Sequence, residues 1–153
     1  HLTILRPPYF FDNWGPVLET VKAQGVLPTF LPPGAKLPMI STRDIGRIAA
    51  ERLLAGGRGR TVVEITGPEP YSPNDVAAEL GRLLGRTVTA QQVPLSEVIP
   101  TFTSLGFSDE AAQLFEEMYA SFGKGAITYE APGALVRGKV ALAEALRLMV
   151  STG

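Results

Sequence analysis

The sequence predicts an α/β fold, and three observations carry that prediction. Short apolar and β-branched runs alternate with amphipathic helical stretches from the first residues to about Val93, the order expected of strands and helices packed in layers. Gly and Pro punctuate the boundaries, with Ser, Asn or Pro at helix starts and Gly at helix ends. From Ser96 onward the pattern turns mostly helical.

Leu2 to Leu5 read as a short buried strand, stopped by Pro7-Pro8. A buried strand at the first residues implies neighbours that precede it, so the chain is expected to be the C-terminal portion of something larger. Trp14 to Gln24 reads as a helix with Asn13 as its N-cap and Gly25 as its stop, and Val17, Leu18 and Val21 as its apolar face. Thr29–Leu31 and Leu37–Ile40, bracketed by Pro28, Pro32, Pro33 and Pro38, are expected as edge strands, because proline donates nothing to a ladder. Ser41-x-x-Asp44 is a capping box opening a helix from Thr42 to Ala55, with Ile45, Ile48, Ala49 and Leu53 on one face. Asp44 also has Arg43 and Arg47 within ion-pair reach, and these local roles outweigh a catalytic one.

Thr61 to Ile65 is a strand and Gly67-Pro68-Glu69-Pro70 a turn. Ser72-Pro73-Asn74-Asp75 opens the clearest helix: Ser at N-cap, Pro at N1, Asp at N3, a stripe of Val76, Leu80 and Leu84, and Gly85 as terminator. Thr87 to Val93 is a further strand. Ser96 to Leu105 is a short helix whose Pro100 must fall in the first turn or make a kink. Ser108 caps the next helix, with Ala111, Leu114, Phe115, Met118 and Phe122 on one side. A loop carrying Gly123, Gly125, Gly133 and Gly138 leads to a last helix with Leu142, Leu146, Met149 and Val150 on one face. The whole is expected as a single compact unit, 1–67 differing in character from the helix-rich 68–153.

Composition narrows the function. A chain of 153 residues, 45% hydrophobic, buries roughly 70% of its unfolded surface at this size. A net charge of -1 and no cluster beyond Arg58-Gly-Arg60 argue against nucleic acid, which demands grouped cations. No apolar run is long enough to span a membrane. With no cysteine, disulfides, thiolate catalysis and Cys-ligated metals are excluded within this sequence. One histidine, His1, leaves no base for a His-dependent triad and no His-rich zinc site. There is no Gly-x-Ser-x-Gly. No metal is expected, and a cytoplasmic location is the expectation.

Three segments carry a specific resemblance. Leu5-Arg6-Pro7-Pro8-Tyr9-Phe10-Phe11-Asp12-Asn13 resembles a strand-to-helix junction Leu-Arg-Pro-x-x-Phe-x-x-Asn. Ile40-Ser-Thr-Arg-Asp-Ile-Gly-Arg-Ile-Ala-Ala50 is similar to a strand and helix bearing Asp-Ile-Ala, and Glu64-Ile-Thr-Gly-Pro-Glu-Pro-Tyr-Ser72 to a Leu-Thr-Gly-Pro-Glu turn. In that order and spacing they resemble the NmrA-like branch of the atypical short-chain dehydrogenase/reductases, covering Leu2 to about Pro94. The resemblance implies a partial Rossmann-type sheet joined to a mostly helical substrate-binding lobe. It also implies NAD or NADP for the intact family fold. None of the 16 glycines forms the Gly-x-Gly-x-x-Gly turn that lets backbone amides approach a pyrophosphate, so no cofactor is expected in this chain. The Tyr-x-x-x-Lys pair of many relatives is absent as well: Tyr9, Tyr71, Tyr119 and Tyr129 are followed four residues on by Asn13, Asp75, Gly123 and Gly133.

The expected sites follow. Pro7, Pro8, Tyr9 and Phe10 come directly after a strand's carboxyl end, where ligands lie in open α/β sheets; by resemblance they face the nicotinamide side. Phe11, Asn13, Trp14, Phe102, Phe107, Phe115 and Tyr119 are the substrate-side candidates, Leu105 beside them, each also explicable by packing or capping. No catalytic residue is expected here. The implied function is the substrate-binding C-terminal half of an NAD(P)-dependent oxidoreductase or a cofactor-sensing regulator, inactive alone. The alternatives are a free-standing module that dimerises or binds a partner, and a cofactor-independent isomerase or small-molecule carrier. An open sheet edge at Leu2–Leu5, with the Tyr9–Trp14 aromatics nearby, points to a homodimer, and the aromatics to a small apolar ligand.

Overall fold

In a computed structural model the protein is described over residues 1–122, 129–130 and 135–152. Gly123, Gly125 and Gly133 of the expected loop lie outside the described residues. The chain forms two compact units, His1–Leu18, Lys36–Tyr71 and Tyr129–Gly153 in the first, Glu19–Ala35 and Ser72–Thr128 in the second. The inclusion of Glu19–Ala35 in the second unit has no local signature.

In the first unit, β1 (Leu2–Arg6) runs parallel to β5 (Arg60–Thr66), with Ile4 beside Val62 and Leu5 beside Val63; β8 (Val136–Arg137) lies parallel on the far side of β5. The β-branched content of both long strands suits a pleated surface. Helix α2 (Thr42–Ala55) covers one face: Ile48 is buried with Ile40, Val63 and Ile65, and Leu5, Phe10, Ile45 and Val136 pack against them. Parallel sheets are ordinarily covered on both faces. Here Leu2, Ile4 and Val62 alternate away from α2, and β1 has a partner on one side among the described residues. The strand read as buried is therefore half-exposed, with Leu2 and Val62 open to solvent.

A second small sheet places β4 (Leu37–Ile40) between β2 (Tyr9–Phe10), parallel to it, and β6 (Pro70–Tyr71), antiparallel to it. This corrects the edge-strand expectation for Leu37–Ile40. Pro38 is accommodated centrally because its register partner is Pro70, so neither member of the pair has an amide to donate. Gly67 approaches the carbonyl oxygen of Met39 so closely that any Cβ would overlap it.

The expected helix from Trp14 divides. Phe11–Val17 is a 3-10 turn and only Leu18–Gln24 (α1) is α-helical. Gly15 and Pro16 in mid-stretch disfavour a continuous α-helix. Asn13 thus lies inside the turn, exposed, and is not an N-cap. The last helix, α6 (Leu142–Thr152), packs on this turn with Leu142, Ala145 and Leu146 buried.

In the second unit, β3 (Val26–Thr29) pairs parallel with β7 (Thr89–Gln92), and α3 (Pro73–Leu84) packs on both. The strand expected at Thr29–Leu31 ends at Thr29, whose Oγ1 accepts the Leu31 amide (3.0 Å) and turns the chain. Helix α3 carries the full capping box: the Ser72 hydroxyl accepts the Asp75 amide (3.2 Å) and the Asp75 carboxylate the Ser72 amide (2.8 Å). Val76 and Leu80 are fully buried, and Gly85 closes the helix in the left-handed region.

Ser96–Leu105 resolves into a 3-10 turn (Leu95–Glu97) and α4 (Val98–Ser104), with Pro100 in the first turn as its missing amide requires. Ser108 caps α5 (Asp109–Phe122), accepting the Ala111 amide at 3.3 Å. The face of α5 is rotated from expectation: Ala112 is buried and Leu114 is exposed. No helix of the described residues is long and apolar enough to cross a membrane.

Candidate functional site

The carboxyl end of β1 delivers Pro7 and Pro8 into β2, and β2 into the 3-10 turn, so one continuous run carries the first group of expected residues. Pro7, Pro8 and Phe10 are half-buried, while Tyr9, Phe11 and Trp14 are buried. Phe11 packs edge-on against Tyr71 (5.7 Å between centroids), and Tyr9 lies tilted against Trp14 at 5.7 Å. Trp14 is 2% exposed, and its Nε1–H has no hydrogen-bond partner among the described residues. A buried indole N–H ordinarily finds an acceptor, and leaving one unpaired costs about 1–3 kcal/mol.

Two aspartates fasten the elements around this run. Asp12 accepts the Thr42 amide (3.2 Å) and hydroxyl (2.8 Å), so the 3-10 turn caps α2 from thirty residues away. Asp44, expected to reach back to Ser41, instead accepts the amides of Lys139 and Val140, both at 2.8 Å, and pairs with Arg47 at 3.1 Å. Ser41 keeps half of the box, accepting the Arg43 amide at 3.2 Å. The expected ion pair of Asp44 is therefore present with Arg47, and the expected capping box is incomplete, because the carboxylate accepts the amides of Lys139 and Val140 instead.

At the end of β1, Arg6 bridges Glu64 (3.0 Å) and Glu130 (2.7 Å). The Glu130 hydrogen bond and charge, then Glu64, push the Arg6 guanidinium further toward its charged form. Glu64 is its register neighbour on β5 and is nearly buried. Sequence reading left both Arg6 and Asp12 as motif letters. Their partners stand far along the chain, and no local signal points to them.

The second group gathers in the second unit. Phe102 stacks on Phe115 (4.1 Å, 17° between planes), and Phe107 meets both edge-on at 5.4 Å. Phe30 joins through Tyr119 (5.2 Å), and Phe122 lies 6.3 Å from Tyr119. Five of the seven phenylalanines in the chain belong to this half-exposed cluster, so the four expected residues are brought together, and Phe30 and Phe122 extend the set. Leu105 stands outside it, exposed.

No group of three His, Cys, Asp or Glu side chains able to hold a metal occurs among the described residues. Pyrophosphate binding at a helix N-terminus needs free amides. The amides opening α2 are taken by Asp12 and Ser41, and those opening α3 by the Ser72–Asp75 box. These ends do not fit a dinucleotide's phosphates.

A family model, the NmrA-like family, matches residues 1–143. Among curated proteins the chain is 28% identical over 119 residues to an NAD(P)H azoreductase of Xenophilus azovorans, covering 77% of this chain and 41% of that protein. It is 30% identical over 115 residues to agroclavine dehydrogenase of Claviceps fusiformis, covering 72% and 39%. Among solved structures it superposes on an NADPH-dependent quinone oxidoreductase of Escherichia coli complexed with NADPH (TM-score 0.74, 20% identity), covering 97% of this chain and 53% of that one. It also superposes on the triphenylmethane reductase of Citrobacter sp. complexed with NADP(H) (TM-score 0.72, 19% identity), covering 96% and 52%. The chain spans about two fifths of the length of these curated relatives.

Proposed function

Because the chain belongs to the NmrA-like family, a family with NAD(P)H-dependent reductases among its members, we propose that it forms the substrate side of such a reductase and does not itself grip the dinucleotide phosphates. The observation that carries this reading is a contrast between two kinds of potential ligand site. The N-termini of α2 and α3 are closed by the chain's own side chains, while the strand-end run from Pro7 to Trp14 terminates in a buried, unpaired donor. In the intact reaction a nicotinamide would supply hydride. This chain's part is to present Pro7, Pro8, Tyr9 and Phe10 as a rigid wall beside the ring, and Trp14 as a donor to a carbonyl of the bound ligand. Within the second unit, taken by itself, the stacked Phe102 and Phe115, with Phe107 and Tyr119, form an aromatic surface suited to stacking.

Calorimetric titration tests the proposal. NADPH should show no binding as tight as roughly 1 µM, equivalent to about 8 kcal/mol. Menadione, a flat quinone, should bind, and Trp14→Phe should weaken it by about 2- to 10-fold, the worth of one hydrogen bond. NADPH bound below that limit, or quinone binding indifferent to Trp14→Phe, would overturn the assignment. A second reading, a self-associating module without redox function, is favoured by the exposure of Leu2 and Val62 along the open side of β1.

A further inference from the structure

We propose that the chain associates with a second copy of itself through two apolar surfaces of opposite charge, one in each unit. The basic surface of one copy takes the acidic surface of another. This contact shares Phe107 with the aromatic cluster of the substrate-side reading, but its test reads association rather than quinone binding, so the two can fail independently.

The first surface is the end of α2 and the turn into β5. Residues 51–62 are exposed without interruption, and Leu53 and Leu54, at 82% and 90% exposure, are the most solvent-open large apolar side chains described. Leu2 and Val62, also exposed, belong to the sheet face turned away from α2 and are not part of this surface. Arg52, Arg58 and Arg60 belong to the same exposed stretch as Leu53 and Leu54, and residues 52–63 contain no acid. None of the three arginines has a carboxylate partner among the described residues. Arg47 is the cation that takes up Glu51, at 2.7 Å.

The second surface is the α4–α5 hairpin. Residues 104–110 are all exposed, and Leu105 (65%), Phe107 (45%) and Leu114 (66%) stand open on it. Residues 87–122 carry five carboxylates, Glu97, Asp109, Glu110, Glu116 and Glu117, and no lysine or arginine. None of the five has an ion-pair partner among the described residues.

A net charge of -1 therefore conceals a separation. One surface is apolar and cationic, the other apolar and anionic. Together they hold five of the eight exposed large apolar side chains described. Contiguous exposed apolar patches with a polar rim mark interaction sites. Opposite rims steer association and fix its register, while leucine and phenylalanine supply the buried area. The partner matching both surfaces in charge and apolar content is another copy of the same chain. Contact of unlike surfaces is heterologous, giving a ring where the rotation closes and an open chain of copies where it does not.

Light scattering and sedimentation at about 50 µM, a concentration that populates micromolar complexes, test the contact. Association should be evident at about 0.05 M salt and weaken at about 0.5 M, where screening acts within roughly 4–5 Å. Arg52→Glu/Arg58→Glu/Arg60→Glu leaves both surfaces anionic, and Glu97→Lys/Glu116→Lys/Glu117→Lys leaves both cationic. Each variant should stay monomeric alone, and an equimolar mixture of the two should associate again. Leu53→Ser/Leu54→Ser, a change of two solvent-open side chains, should also give a monomer and covers the case in which a charge-reversed chain fails to fold. A monomeric parent chain overturns the proposal, as does a mixture that stays apart. Association that persists through every substitution and through high salt also overturns it and assigns the contact to the open edge of β1.

Discussion

Gly138 lies against the carboxylate of Asp44: a Cβ built on Gly138 would stand 2.5 Å from Oδ2 and 2.8 Å from Cγ. The same oxygen accepts the amides of Lys139 and Val140, and the Gly138 amide donates to the Thr66 carbonyl at 2.7 Å. One side-chain-free residue thus lets the start of α2 hold the approach to α6, and α6 packs on the turn that contains Trp14.

Gly138→Ala should destabilise the chain by about 1–3 kcal/mol, the range for forcing an extra methyl into a packed site. Asp44→Ala should cost at least as much, since two amides lose a charged acceptor and hydrogen bonds to charged groups are worth about 1.5–3 kcal/mol each. Urea denaturation of both variants reads these losses. A Gly138→Ala chain as stable as the parent would refute the close approach.

Leu80→Ala should cost about 2–5 kcal/mol, as a fully buried leucine does, and Ser72→Ala about 1 kcal/mol, as a lost N-cap does. The larger loss must belong to Leu80. Equal midpoints in chemical denaturation would contradict the packing of α3 on β3 and β7.

Glu110 is held below the ordinary carboxylate range, first by its own backbone amide and then by the Ser108 hydroxyl. A depressed folded-state value contributes stability that is present above the unfolded value and is lost as pH falls through the folded one. Carbon-detected NMR titration should therefore find Glu110 ionised at a more acidic pH than an unpartnered glutamate. Ser108→Ala should move it back upward in part. An unmoved titration would place the hydroxyl elsewhere.

Gly67→Ala should be among the most damaging single substitutions, because the added Cβ would overlap the Met39 carbonyl and backbone must shift. The expected outcome is a chain that folds poorly or loses several kcal/mol, a scale reached by few point changes. A thermal midpoint close to the parent's would show that β4 and the turn yield there.

The α/β class, the Ser72–Gly85 helix and the family were legible in the residues, because each rests on signals within a few positions: a period, a cap at i and i+3, a glycine stop. The aromatic group on α4 and α5 was legible for the same reason, as helical spacing brings Phe115 and Tyr119 to one side. Asn13 and Asp44 show where such reading stops. Both stood at positions that a cap would use. Asn13 failed as one because Gly15 and Pro16 tighten the backbone into a 3-10 turn. Asp44 left its box because amides ninety-five residues away compete for it.

The sequence by itself determined the α/β alternation, where α2 and α3 begin, and that no glycine turn for a pyrophosphate is present. Only tertiary structure decided that β4 is a central strand, that Asp12 caps α2, that Arg6 bridges two glutamates, and that Leu2, Val62 and Leu54 face solvent. The physical reason is range. Backbone propensity, capping and periodicity act within about one or two helical turns. Strand order, the partner of a buried charge and the exposure of an apolar face depend on which distant segment arrives to pair with them.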